Sequence, residues 1–213
     1  MKKVAVILSG CGHKDGVEIR EAVLTLLYLD KNNAKADCFA PNISLNVVNH
    51  ITNQPDGTRN VLDEAARIAR GNIQDLNLLK AADYDALILP GGYGAAKNLS
   101  DLAFTGANAK VIPELEMVLQ EFNSAKKPIG AICIAPAVLV AGLKKGKVTI
   151  GNDVGTAAAI NSMGGNHENH QTPEICVDEA NKFVTTSAYM REDRISAVSE
   201  GIEKLVIKIL ELA

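Results

Sequence analysis

The sequence predicts an α/β protein with a doubly wound, mostly parallel sheet and helices on both faces. Short runs rich in Val, Ile and Leu alternate along the chain with segments of helical period, the pattern of repeated βα units. Two of these runs, in "LILPGG" and "PIGAIC", pass directly into turns of small residues, as strands do at the carboxyl edge of such a sheet. The length, 213 residues, is within the range that single α/β domains reach. One domain over residues 1–213 is therefore expected, with an insertion at about 41–80.

Each element follows from its own stretch. "KVAVIL" is a first strand, and "GVEIREAVLTLLYLD" places Val17, Glu21, Leu24 and Tyr28 near one helical stripe. "KADCFA" then closes a βαβ unit. Pro41 to Asn60 is polar and turn-rich and reads as inserted chain, after which "NVLDEAARIAR" is a helix closed by Gly71. The alternation resumes with the strand "DALILPGG", the helix "IPELEMVLQEFNSA" and the strand-to-helix segment "KPIGAICIAP". "KVTIG", the helix "GTAAAINSMG", the strands "EICVD" and "KFVTTSAYM", and a last helix from about Asp193 complete the chain.

Composition excludes several classes of function. A hydrophobic content of 47%, 22% charged residues and a net charge of -3 give no general electrostatic reason to bind nucleic acid. No segment approaches the ~18 apolar residues of a membrane span, and the N-terminal apolar run turns polar too soon for a signal peptide. Four scattered cysteines do not form a disulfide framework, so a reducing cytoplasm is expected. No cofactor is expected: there is no Walker lysine-serine pair, and "SGCGHKDG" has Asp15 where a dinucleotide fingerprint needs a third glycine. His167 and His170 are three apart, but the surrounding Gly and Asn read as a solvated loop rather than a metal site.

Cys133 stands where an apolar strand meets a helix, flanked by Ala131 and Ala135 and followed by Pro136, which suits a first helical turn. This is the pattern of a nucleophile elbow with cysteine as the nucleophile, and a helix N-terminus is expected to favour its thiolate. Cysteine is equally often a small core residue, so the local pattern alone leaves both readings open. Gly91 and Gly92 end another strand at the same sheet edge. The amides of Gly92 and Ile134 are candidate donors to an oxyanion, although a tight turn explains the glycines as well. Glu18 and Glu21 lie on the first helix, within reach of the crevice. Glu18 suits a dipole cap, whereas Glu21 sits on the apolar stripe and is the better candidate for a buried proton-carrying acid. Cys11, in the loop after the first strand, is expected to face the same crevice, and Cys38 and Cys176 to be core.

The stretches "EIREA", "LPGGYGAAKNLS" and "GAICIAP" resemble the acidic motif, oxyanion loop and nucleophile elbow of the ThiJ/PfpI superfamily, relatives of class I glutamine amidotransferases. The resemblance spans nearly the whole chain. "ILSGCGHKDGVEIREAVLTL", "TRNVLDEAARIARG" and "NKFVTTSAYM" are similar to the narrower ElbB branch, the isoprenoid-biosynthesis or enhancing lycopene biosynthesis proteins. It implies a flavodoxin-like fold, a homodimer, Cys133 as nucleophile, Glu21 as the acid beside it, and Tyr189 and Ser187 lining the pocket. The activity it implies is a cofactor-independent and glutathione-independent glyoxalase, or the related removal of early glycation adducts, acting on a small-molecule aldehyde.

Two positions depart from the pattern. Ile134 stands where many superfamily hydrolases have a histidine, and Gly151 occupies a second histidine position. Without a histidine to protonate a departing amine, amidase chemistry is disfavoured. Thiolate addition to an aldehyde has no leaving group and asks only for a carboxyl group. The alternative is a regulatory or redox-sensing module with a reactive cysteine, in which the incomplete catalytic set is tolerated.

Overall fold

The computed structural model describes residues 1–213. In chain order the first half comprises β1 (Lys3–Ile7), α1 (Ile19–Lys31), β2 (Lys35–Ala40), β3 (Ser44–Val48), β4 (Pro55–Asn60), α2 (Val61–Ile68), β5 (Ile73–Asp75), β6 (Ala86–Leu89), α3 (Tyr93–Lys97) and α4 (Leu102–Thr105). The second half comprises α5 (Pro113–Ser124), β7 (Ile129–Ile132), α6 (Ala135–Leu143), β8 (Lys147–Val148), α7 (Val154–Ser162), β9 (Asn166–His167), β10 (Cys176–Asp178), β11 (Phe183–Thr186) and α8 (Ile195–Leu212).

Seven strands form the central sheet in the order β10-β11-β7-β6-β1-β2-β5, parallel except for β10. This is the flavodoxin-like, doubly wound arrangement expected from the sequence. The alternation of side chains along each strand divides the core into two layers. In β1, Val4 and Val6 join the layer under α1 and α8, while Ala5 and Ile7 join the layer under α5 and α6. In β6, Ala86 and Ile88 face the first layer and Leu87 and Leu89 the second. Both faces are covered, which is why these strands are apolar without interruption.

The chain winds outward from β1 to β2 and β5 on one side and from β6 to β7 and β11 on the other. The reversal between β1 and β6 opens a crevice beyond the carboxyl ends of the central strands. The loops after β1, β6 and β7 meet there.

Residues 41–80 are more structured than their polarity implies. β3 and β4 pair as an antiparallel hairpin outside the main sheet, and β5 adds an edge strand to it. Neither is visible in a hydrophobic pattern, because β4, "PDGTRN", is exposed over nearly its whole length. "KVTIG" is also not a strand of the main sheet: β8 has only two residues and pairs with β9. No helix is long and apolar enough to cross a membrane.

Candidate active site

At the end of β7, every residue of which is buried, the backbone turns sharply. Cys133 has φ 62°, in the left-handed region that a side chain with a Cβ rarely adopts. Its N–H donates to Thr186 O at 2.9 Å, which fixes the turn against β11. α6 begins two residues later, with Pro136 in its first turn, where a missing N–H costs no hydrogen bond. The side chain is only 7% exposed.

The loop after β6 closes over this turn. Gly92 has φ 91°, and a Cβ there would lie 2.4 Å from Glu18 N and 2.5 Å from Gly16 O. Hydrogen bonds from Glu18 N to Gly91 O, at 3.0 Å, and from Gly94 N to Gly16 O, at 2.9 Å, hold the loop against the start of α1. At Gly91 a Cβ would sit 2.4 Å from Cys133 Cβ and 2.9 Å from Glu21 Oε2. Only a glycine lets the loop backbone pass between those two side chains. We therefore expect Gly91→Ala to displace the Cys133–Glu21 pair. Its thermal midpoint should fall by several degrees, from strain of about 1–3 kcal/mol, together with loss of Cys133-dependent chemistry. A midpoint equal to that of the parent would show that the space is available after all.

Glu21 is fully buried, with 0% exposure. Glu18 caps α1 by accepting the Glu21 N–H at 2.7 Å, so the two acids have separate places, one on the helix end and one inside. Glu21 Oε2 accepts from Gly91 N at 2.9 Å and Oε1 from Tyr189 N at 3.4 Å. Burial, reinforced by the charge of Glu18, raises the Glu21 carboxyl to about 8, so it carries a proton at neutral pH. Burial also pushes the Cys133 thiol up, as does a charged Glu21, while the amides of Gly92 and Ile134 pull it down. This corrects the expectation that the helix N-terminus would favour thiolate: at a sulfur so largely buried, desolvation outweighs the helix end.

Glu21 and Cys133 interact directly, and each has two backbone N–H groups acting on it. Those of Gly91 and Tyr189 serve the carboxyl; those of Gly92 and Ile134 serve the sulfur. Two negative charges in this buried space would repel strongly, whereas one charge can be stabilised on either partner. The two groups are thus coupled, and a charge on either one raises the cost of a charge on the other.

The remaining candidates separate. Tyr189 reaches the site through its backbone N–H, while its hydroxyl accepts from Arg20 Nη1 at 3.2 Å and its ring lies under the Arg20 guanidinium. Arg20 was not identified from the sequence, because a contact between residues 169 positions apart leaves no local pattern. Ser187 is buried, and its Oγ makes no hydrogen bond. Cys11 is not brought to the Cys133 pair. It lines a separate cavity of about 350 Å³ beneath the β3–β4 hairpin, with Asp15, Leu45, His50 and Glu64, and burial raises its thiol. At Gly151, φ is 93° and a Cβ would lie 2.9 Å from Arg191 Cγ and 3.1 Å from Ser187 Cβ, so the space a second histidine would need is filled. No histidine is among the groups that act most strongly on Cys133 or Glu21.

Fold and site together define a flavodoxin-like α/β protein with a cysteine at a sharp strand-to-helix turn, an acid buried beside it and a glycine loop between them. The chain belongs to the DJ-1/PfpI family, whose model matches residues 2–194. It is 46% identical over 222 residues to a human protein, glutamine amidotransferase-like class 1 domain-containing protein 3, mitochondrial, covering 99% of this chain and 83% of that one. It is 34% identical to the zebrafish ES1 protein, mitochondrial, over 98% of this chain and 85% of that one. Among solved structures, an isoprenoid biosynthesis protein with an amidotransferase-like domain from Ehrlichia chaffeensis superimposes with a TM-score of 0.94 at 45% identity, over 100% of this chain and 99% of that one. Drosophila melanogaster DJ-1beta, at 17% identity and a TM-score of 0.56, shares the fold. The expectation of a cytoplasmic protein is corrected by these comparisons, since the curated relatives are named as mitochondrial. Cysteine usage reports only whether disulfides form, and a reducing interior is not unique to the cytoplasm.

Proposed function

We propose that this protein is a cofactor-independent and glutathione-independent glyoxalase, converting glyoxal or a similar small 2-oxoaldehyde to a hydroxy acid through the Cys133 thiolate. The observation that supports it is the buried Cys133–Glu21 pair, with two N–H groups serving each partner. The DJ-1/PfpI family includes members with glyoxalase or deglycase activity. A nucleophile 7% exposed favours the smallest dicarbonyls over adducts on proteins, whose bulk would have to enter the crevice.

In the productive state one proton has left the pair, sulfur is the thiolate and Glu21 is neutral. Sulfur forms a bond to the aldehyde carbon, and the carbonyl oxygen takes the negative charge toward the Gly92 and Ile134 amides. Glu21 gives its proton to that oxygen, completing the hemithioacetal and becoming a carboxylate. The carboxylate then removes the hydrogen on the sulfur-bearing carbon, leaving an enediolate; Glu21 returns that proton to the neighbouring carbon, and the hydroxyl proton on the sulfur-bearing carbon passes to the neighbouring oxygen. The product is a thioester, with one carbon oxidised and its neighbour reduced, so no external oxidant or reductant is consumed. Water cleaves the thioester and releases the hydroxy acid and the thiolate. The homodimer expected from the family resemblance does not enter these steps and belongs to the same proposal.

The mechanism sets the pH dependence. Below about 8 both members are protonated and the attacking thiolate is scarce, so kcat/KM for glyoxal should rise with pH toward that value by up to ~10-fold per unit, then level off. Glyoxal consumption at varied pH, without glutathione, tests this. A profile flat between about pH 5 and pH 8 is incompatible with a pair that must first lose a proton.

A further inference from the structure

We infer that Glu168, His170 and Cys176 form a binding site for a divalent transition metal of the zinc type, separate from the Cys133 pair. One ligand atom from each lies within 4.8 Å of the other two. His170 Nε2 is 3.7 Å from Glu168 Oε2, and Cys176 Sγ is 3.9 Å from the same oxygen. Zinc bonds of about 2.0–2.3 Å in a tetrahedron place ligand atoms roughly 3.3–3.7 Å apart. Small side-chain movements toward a common centre therefore complete the three sides of the site.

A second observation favours a metal over a chance group of polar residues. His170 Nδ1 faces Glu174 Oε2 at 3.7 Å, and that oxygen is itself held by Gln171 N–H at 2.7 Å. A carboxylate behind Nδ1 selects the tautomer that leaves Nε2 free to bind, as in many histidine-bound zinc sites. Cys176 itself is held in place by its strand, where Thr185 is its antiparallel partner on β11. Thiolate, imidazole and carboxylate together suit zinc and its neighbours and are a poor set for magnesium or calcium.

The site lies at the β10 edge of the sheet, with Cys176 buried beneath Glu168 and His170, which remain partly open to solvent. Three protein ligands leave a fourth position for water. Lys147 Nζ, 3.7 Å from Glu168 Oε2, occupies the place of a cation and must release the carboxylate when metal binds. Binding forms a metal–sulfur bond and breaks the S–H bond, and the proton goes to solvent. The sequence hides this set. His167 and His170 look like the natural pair, yet His167 Nε2 instead accepts from Ile150 N at 3.3 Å.

Cobalt titration of the full chain under reducing conditions tests the inference without reference to glyoxal turnover. The expected result is a near-ultraviolet thiolate-to-cobalt charge-transfer band that saturates at a single site and is displaced by zinc. Cys176→Ser should abolish the band. His170→Ala should weaken cobalt binding by ~10-fold or more, and Glu174→Gln by roughly 10–100-fold through loss of orientation. Cys11→Ser and Cys133→Ser should leave it unchanged. A band that survives Cys176→Ser, or a His170→Ala protein that binds cobalt as tightly as the parent, overturns the site. Because Cys176 is buried and its replacement can impair folding, the partly exposed His170 provides the independent arm.

Discussion

Cys133→Ser is expected to lower glyoxal turnover by roughly 10³-fold or more while leaving the protein folded. Serine is nearly the same size as cysteine, so the left-handed turn and the Cys133 N–H bond to Thr186 O should persist. What is lost is an ionisable nucleophile. A hydroxyl is a far weaker acid than a thiol, and the groups acting most strongly at this position include no histidine that could serve as its base. Burial already holds the thiol above its ordinary value, so the mechanism depends on sulfur chemistry to form any anion near neutral pH. Glyoxal consumption and thermal midpoint, measured on one preparation, separate lost chemistry from lost folding. A folded Cys133→Ser protein with parental turnover would remove Cys133 from the mechanism.

Glu21→Gln is expected to cost about 10²-fold or more in turnover, since an amide keeps one oxygen to accept from Gly91 N–H or Tyr189 N–H but cannot carry the proton. The same substitution has a stability signature. The Glu21 carboxyl ionises at about 8 in the fold and has an ordinary value of 4.5. The fold therefore binds a proton that the unfolded chain has already released between those values. The stability linked to this proton is full below 4.5 and is lost as pH rises through about 8. Glu21→Gln should accordingly lose less thermal midpoint than the parent between pH 5 and pH 8. Glu18→Gln keeps an oxygen to cap α1 and should change turnover far less; by removing a charge that raises the Glu21 carboxyl, it should move the rate profile to lower pH. An active, stable Glu21→Gln protein would end the proton-transfer role.

The sequence by itself determined the framework. Uninterrupted apolar runs mark strands covered on both faces, and alternation with helical segments dictates a parallel sheet, because each crossover needs a helix. Cys133 was legible for a similar reason: a strand that ends among alanines before Pro136 has little choice but a sharp turn into a helix. Glu21 was legible as an acid on an apolar stripe. Beyond those features the information is not local. The β3–β4 hairpin and β5 are polar or short, and their pairing depends on partners brought to them by the rest of the fold.

Only the tertiary structure decided which groups share the site and what charge they carry. Tyr189 N–H meets Glu21 across 168 residues, and Gly91 passes between Glu21 and Cys133 from a third segment. Cys11, one loop away in the sequence, faces the hairpin cavity instead. The sign of the Cys133 shift also belongs to the fold, since a helix end acts through local geometry while desolvation depends on every element that covers the sulfur. Local sequence fixes where the backbone turns; burial and long-range contacts fix the protonation of what stands at the turn.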